Sequence, residues 1–183
     1  LQDAGVGACI KHYVANDSEF ERHTISSEVD ERTLRELYLP PFEAAVREAD
    51  VASVMGAYNK VGGVHACEHP ELLRTILKEE WGFRGFVVSD WFATQSTVAA
   101  ARDGLDLEMP GPPRYFDAQL VEAVKRGEVP EAAIDEAATR LLEAIVRWGA
   151  LEGDHEAEEQ GVETPEHRAL ARELASDAIV LLL

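Results

Sequence analysis

Four short apolar runs, each ending on polar residues and each separated by a stretch of helical period, constrain this chain more than any other feature. "VGACIKHYV", "VASVMGAYN", "GFVVSD" and "GLDLEM" read as strands. Between them, Leu34, Leu37, Phe42 and Val46 mark one approximate apolar face, and Leu73, Ile76 and Leu77 mark another. Strands alternating with helices predict a parallel sheet, covered on both faces and therefore nearly continuous in apolar residues. The sequence class is α/β.

The punctuation supports this division. Asp30 is placed to cap "ERTLRELYLPPFEAAVREA", and Pro40-Pro41 should break or kink it. Pro70 suits the first turn of "HPELLRTILKEEW", and residues 94–103 are expected to be helical. From Phe116 the texture is helical only. In "PEAAIDEAATRLLEAIVRWG", Ile134, Ala138, Leu141, Ile145 and Trp148 recur at steps of four and three, and Gly149 closes the end. The acidic "LEGDHEAEEQGVE" reads as a linker, and Thr164-Pro165 as a cap and first turn. The closing "AIVLLL" reads as a buried strand with nothing to pair against, so a piece of a longer protein is expected.

The strand–helix units amount to half of an eight-stranded (β/α) barrel, which takes about 250 residues. A doubly wound open sheet competes, but no glycine-rich G-x-G-x-x-G turn follows any strand. The expected organisation is a partial barrel over residues 1–150, a linker over 151–163 and the start of a second domain over 164–183.

Charge removes whole classes of function. With 35 acidic against 17 basic residues the net charge is −18, the wrong sign for displacing counterions from a phosphate backbone or for lying on an anionic membrane. Two cysteines are too few for a disulfide framework, and Cys9 is expected to be buried in its strand. The loop "HACEH" has ligand-type residues without the helical H-E-x-x-H spacing, so it does not call for a metal.

In a barrel the carboxyl ends of the strands converge on one mouth. Here they carry Lys11 and His12, then Met55 with Tyr58 and Asn59, then Asp90 and Trp91, then Asp106 and Glu108. An unpaired buried charge costs several kcal/mol, so Asp90 at the end of Phe86-Val87-Val88 is better explained by chemistry than by stability. Lys11 as a Schiff-base lysine is a rival, but that role needs an apolar or cationic surround. Arg22 with Glu19 or Glu21 reads as a loop ion pair.

The blocks "KHYVANDSEFERHTISSEVDERTLRELYLPPFEAAV", "SVMGAYNKVGG", "WGFRGFVVSDWFAT" and "GLDLEMPGP" resemble, in order and with compatible spacing over most of residues 5–112, glycoside hydrolase family 3 in its β-glucosidase branch. The resemblance implies the C-terminal half of a TIM-like barrel, a linker and the first elements of an α/β-sandwich domain. It implies Asp90 as the nucleophile of a retaining β-glycosidase. Lys11 and His12 would bind sugar hydroxyls, Met55 form an apolar wall, Tyr58 stand beside the nucleophile, and Trp91 lie against the sugar. The substrate would be a β-glucoside or an oligosaccharide, with no metal and no organic cofactor. The acid/base carboxyl would come from the downstream domain, and Asp106 and Glu108 would be structural. The loop after "KH" lacks the glycine-histidine pattern of the N-acetylhexosaminidase relatives, and Trp91 stands where xylosidase-like members tend to have cysteine. The alternatives are an incomplete carbohydrate-binding fragment without catalysis, or a β-xylosidase or other specificity of the same family.

Overall fold

The computed structural model describes residues 1–151, 161 and 163–181, in two units, Leu1–Leu151 and Glu152–Leu183. The first unit is built on a parallel sheet of β1 (Cys9–Tyr13), β3 (Ser53–Gly56) and β6 (Phe86–Ser89), in that order. Between β3 and β6 the register is continuous, Val54, Met55 and Gly56 facing Val87, Val88 and Ser89, and Ile10 of β1 faces Val54. A bulge in β1 between Ile10 and Tyr13 shifts its pairing, and the Lys11–His12 and Tyr13–Val14 peptides are cis. A second small sheet joins β2 (Ser26–Ser27), β4 (Lys60–Val61) and β5 (Val64–His65).

Each named strand is shorter than its apolar run. Asp30 caps α1 (Glu31–Thr33), accepting from the Thr33 amide at 3.0 Å and the Thr33 hydroxyl at 2.7 Å. The helix widens through Leu34–Tyr38, where the Leu39 amide reaches back to Leu34 O, and resumes as α2 (Pro40–Arg47). Pro40-Pro41 thus starts a new segment, since neither ring nitrogen can donate to the preceding turn. Leu37, assigned above to the apolar face, is 66% exposed. The widened turn rotates it off the line of Phe42 and Val46, which are buried.

The Glu71–Glu80 helix follows Pro70 and buries Leu72, Leu73, Ile76 and Leu77. Its last turn is also wide, with the Trp81 amide donating to Ile76 O at 3.0 Å. These side chains meet Val54, Val87, Phe42, Trp81 and Phe83 in the main core. Tyr13 lies at its centre, edge-on to Phe42 and Trp81, with its hydroxyl donating to Leu72 O at 3.0 Å. Burial pushes that phenol well above its ordinary range. At Gly85 any side chain would run into Ala52 O and the Phe83 ring, so only glycine allows β3 and β6 to start together.

Further expectations are corrected. Cys9 is exposed, on the strand that lies at the edge of the sheet among the described residues. "GLDLEM" forms a single parallel bridge, Val88 to Leu107, in place of a fourth strand. The Asp106 carboxylate accepts the Val87 amide at 2.7 Å, so a side chain takes a donor that backbone pairing would otherwise use. The helix expected over residues 94–103 is confined to α3 (Val98–Asp103), ending at Gly104 in left-handed conformation. Next come α4 (Ala118–Lys125) and α5 (Glu131–Arg147), with Gly149 at φ +69° just beyond. On α5, Ala133 is buried and Ile134, Leu141, Ile145 and Trp148 are half-buried, whereas Ala138 is exposed.

In the second unit, Thr164 caps α6 (Pro165–Asp177) by accepting the His167 amide at 3.2 Å. Ile179, Val180 and Leu181 form no strand and are exposed. Leu182, Leu183 and most of the acidic linker lie outside the described residues. No helix among the described residues is long and apolar enough to cross a membrane.

A buried ionic cluster ties helices to the sheet. Lys78 Nζ lies 2.8 Å from Asp106 Oδ1, with both side chains almost fully buried, and 3.4 Å from Glu136 Oε1. Arg74 and Arg140 each reach Glu136 at 3.0 Å, and Arg140 also donates to Phe83 O and Gly85 O. Burial pushes the Asp106 carboxyl up and the Lys78 ammonium down, and their mutual attraction opposes both shifts. Glu136 is held at about 2: desolvation raises it, but the Arg74 hydrogen bond and the Lys78 charge prevail.

Lys78→Met leaves the Asp106 charge buried without its partner, and a loss of about 3–5 kcal/mol is expected in urea unfolding at neutral pH. Since the folded value for Glu136 lies below its ordinary 4.5, its contribution is full above about pH 4.5 and fades toward pH 2. The stability gap between the parent and Glu136→Gln should therefore close across that window.

Candidate active site at the carboxyl ends of the strands

The parallel ladder continues past the strands and fixes the backbone of the candidate nucleophile. The Ala57 amide donates to Tyr13 O at 2.8 Å and the Asp90 amide to Gly56 O at 3.0 Å. Residues 14, 57 and 90 therefore sit at one level, at the end of the sheet where the three strands finish. Beyond it, Asp90 Oδ1 accepts the Trp91 amide at 2.7 Å, the Ala93 amide donates to Asp90 O at 2.9 Å, and the Phe92 amide donates to Met109 O at 3.0 Å. Phe92 takes a left-handed φ of 70°, turning the chain sharply after Asp90.

The structure brings three of the sequence-predicted residues together. His12, from β1, places Nε2 at 3.2 Å from Oδ2 of Asp90, the residue just past β6, spanning β3 between them. The Asp90 side chain is 13% exposed and that of His12 33%, so the pair faces outward from the sheet end without being fully solvated. Tyr58, just past β3, is 8% exposed. Burial first, and then the charge of Asp90 and a hydrogen bond to it, push its phenol up, so at neutral pH it remains a donor.

The other predicted residues are less engaged. Lys11 is exposed, Met55 is half-buried within β3, and Trp91 is 55% exposed beside Asp90. An exposed indole suits a ligand face more than a core, because a folded chain ordinarily covers most of so large an apolar surface.

Asp106 and Glu108 are committed elsewhere. Asp106 is paired with Lys78, and Glu108 accepts the amides of Arg114, Tyr115 and Phe116 at 2.7–3.0 Å. That grip shapes the loop after Met109 and sets the Arg114 guanidinium 4.3 Å over the Phe92 ring. In "HACEH", Cys67 donates its thiol to Ala57 O at 3.6 Å, and His69 Nδ1 accepts the Leu72 amide at 3.4 Å. No three His, Cys, Asp or Glu side chains among the described residues are grouped to hold a metal ion.

Sequence reading missed three neighbours of the site. Arg22, read as a loop ion pair, does meet Glu19 at 2.7 Å, but its guanidinium also lies 4.4 Å over the Tyr58 ring. His23 meets the same ring edge-on at 4.7 Å. Cys67 packs beneath the site: a Cβ at Gly56 would stand 2.7 Å from its sulfur, and burial pushes the thiol up to about 12. Spacing carries no sign of these contacts, since Arg22 and Tyr58 are far apart in the chain. A cavity of about 350 Å³ lined by Ala52, Gly85 and Trp148 lies at the opposite, amino end of the strands.

The sequence model of the glycosyl hydrolase family 3 N terminal domain matches residues 1–144. A beta-glucosidase of Rhizobium radiobacter is 51% identical over 182 residues, covering all of this chain and 22% of that protein. Among solved structures, beta-glucosidase from Kluyveromyces marxianus in complex with glucose superposes with a TM-score of 0.89 at 38% identity, over 99% of this chain and 23% of that one. Beta-glucosidase 3B from Thermotoga neapolitana, in complex with glycerol, gives 0.87 at 38% identity, over 99% and 26%. The chain thus spans about a quarter of the length of these relatives. It has an α/β fold of their kind and belongs to glycosyl hydrolase family 3.

Proposed function

We propose that this chain is the nucleophile-bearing part of a retaining β-glucosidase that removes terminal β-D-glucosyl residues by double displacement. The convergence of His12, Tyr58 and Asp90 at the carboxyl ends of three adjacent parallel strands carries the reading. Asp90 is the nucleophile: its oxygen bonds to the anomeric carbon as the leaving oxygen departs, and water then releases the sugar with net retention. His12 and Lys11 bind sugar hydroxyls, Tyr58 donates beside the nucleophile, Met55 forms an apolar wall, and Trp91 presents its ring to the sugar. Glucose in the Kluyveromyces marxianus and Thermotoga neapolitana complexes supports the choice of sugar.

The partial barrel over residues 1–150 is part of the same proposal. Strand order follows chain order, with no reversal of the kind that marks the ligand crevice of a doubly wound sheet. Residues 151–163 are then a linker, and residues 164–183 open an α/β-sandwich domain. The acid/base must stand about 5–5.5 Å from Asp90. Asp106 and Glu108 are both held by other partners, which favours a carboxyl supplied by the downstream domain.

In the full-length protein, Asp90→Ala should lower turnover of an aryl β-glucoside by at least roughly 10³-fold. A slow 2-fluoro glucoside, followed by peptide mapping, should label Asp90. A label on another carboxylate, or near-parental turnover by the variant, removes Asp90 from the mechanism.

A further inference from the structure

We infer that Ser89 is a positioning residue for Asp90: its buried hydroxyl takes the place of its own carbonyl in the pairing with Met109, which releases the Trp91 amide to hold the Asp90 carboxylate. The inference deepens the reading of Asp90 as nucleophile and rests on it.

The stretch after α3 begins as an ordinary parallel partner of β6. The Leu107 amide donates to Val87 O at 3.0 Å and the Ser89 amide to Leu107 O at 2.9 Å, the two bonds of a parallel bridge centred on Val88. Two residues further on, the same repeat would send the Met109 amide to Ser89 O and the Trp91 amide to Met109 O. Instead the Met109 amide donates to Ser89 Oγ at 2.9 Å, and Ser89 Oγ donates back to Met109 O at 3.3 Å. Met109 O then accepts the Phe92 amide at 3.0 Å, one residue later than the repeat requires. The Trp91 amide is left over, and it donates to Asp90 Oδ1 at 2.7 Å.

A serine hydroxyl can do this because it is short enough to compete with the backbone for nearby partners. Ser89 is 0% exposed, so its two bonds are made inside the protein and its removal strands the Met109 amide. The slip of one residue also places the turn: Phe92 takes up the extra length at a φ of 70°. On the other flank of β6 the pairing stays regular, through the Asp90 amide to Gly56 O. The main chain of Asp90 is therefore fixed by β3, and its carboxylate is oriented by an amide that Ser89 sets free. With His12 at Oδ2, the rotation of that carboxylate is restrained from both oxygens. Small displacements of a reacting group are costly in rate, so the effect of Ser89 belongs in the bond-forming step.

The test follows inactivation of the full-length protein by a fluoro glucoside that carries a dinitrophenolate leaving group. An Asp90 oxygen bonds to the anomeric carbon as dinitrophenolate departs with the bonding pair, and this leaving group needs no protonation. The limiting rate constant, kinact, reports on folded sites alone, and the amount of dinitrophenolate released counts them. Ser89→Ala should lower kinact by roughly 10–100-fold and change the half-saturating concentration by less than about threefold. Ser89→Thr keeps the hydroxyl and should stay within about fivefold of the parent. Lys78→Met disturbs the same stretch through Asp106, farther from the nucleophile, and should lower stability with kinact within about threefold of the parent. A serine that only supports the fold would reduce the number of sites and leave kinact unchanged. Near-parental kinact in Ser89→Ala, or an equal fall in Ser89→Thr or Lys78→Met, overturns the proposal. If the parent is labelled on Asp90, those outcomes remove the role of Ser89 alone. A label on another carboxylate of the parent removes the nucleophile reading itself.

Discussion

The hydrogen bond from the Asp90 amide to Gly56 O is the constraint on which the site depends. It is the last rung of the β3–β6 ladder, so the position of the carboxylate is set by the same repeated backbone geometry that builds the sheet. A carboxylate on a loop would reach the same place only as one member of an ensemble. Here β3 supplies the rung, β1 supplies His12 from the far side, and the turn through Phe92 takes the chain away again at once. The rigid scaffold and the candidate nucleophile are one continuous piece of backbone, the kind of placement the proposed attack on a substrate carbon would need.

Two acidic residues a short way along the chain show how context separates chemistry from architecture. Asp106 and Glu108 resemble Asp90 in composition and in following an apolar run. Asp106 is enclosed by Lys78 and the Val87 amide, and Glu108 by three consecutive loop amides. Their oxygens are already occupied by protein donors. One oxygen of Asp90 takes a local amide and the other faces an imidazole, with the Tyr58 phenol as a further neighbour, all at the end of the sheet where the three strands finish. The contrast in what each carboxylate touches, more than the residue type, distinguishes a structural anion from a candidate nucleophile. The Lys78–Asp106–Glu136 cluster also explains how a sheet with so few strands holds its covering helices: charges buried in company are costly to separate.

The local signals were the most legible. Asp30, Pro70, Thr164 and Gly149 mark the helix ends near which they were placed, because capping and proline geometry involve only near neighbours. Leu37 and the "GLDLEM" run were read less well. The widened turn that moves Leu37 outward, and the Asp106 side chain that takes the Val87 amide, depend on partners the local pattern does not contain. Cys9 followed the apolar run that contains it, but it is exposed, on the strand at the edge of the sheet among the described residues.

By itself the sequence determined the alternation of strand and helix over the first three strands, the class of the fold, and the polar residues at the ends of those three strands, since periodicity and turn chemistry are properties of neighbouring residues. The family resemblance singled out Asp90, His12 and Tyr58 among those ends. Only the tertiary structure decided that His12 reaches Asp90 across an intervening strand, that Asp106 and Glu108 are spoken for, and that Arg22 rests on Tyr58. Those outcomes depend on contacts between residues remote in the chain, and such contacts are fixed by packing and register, which no local pattern encodes.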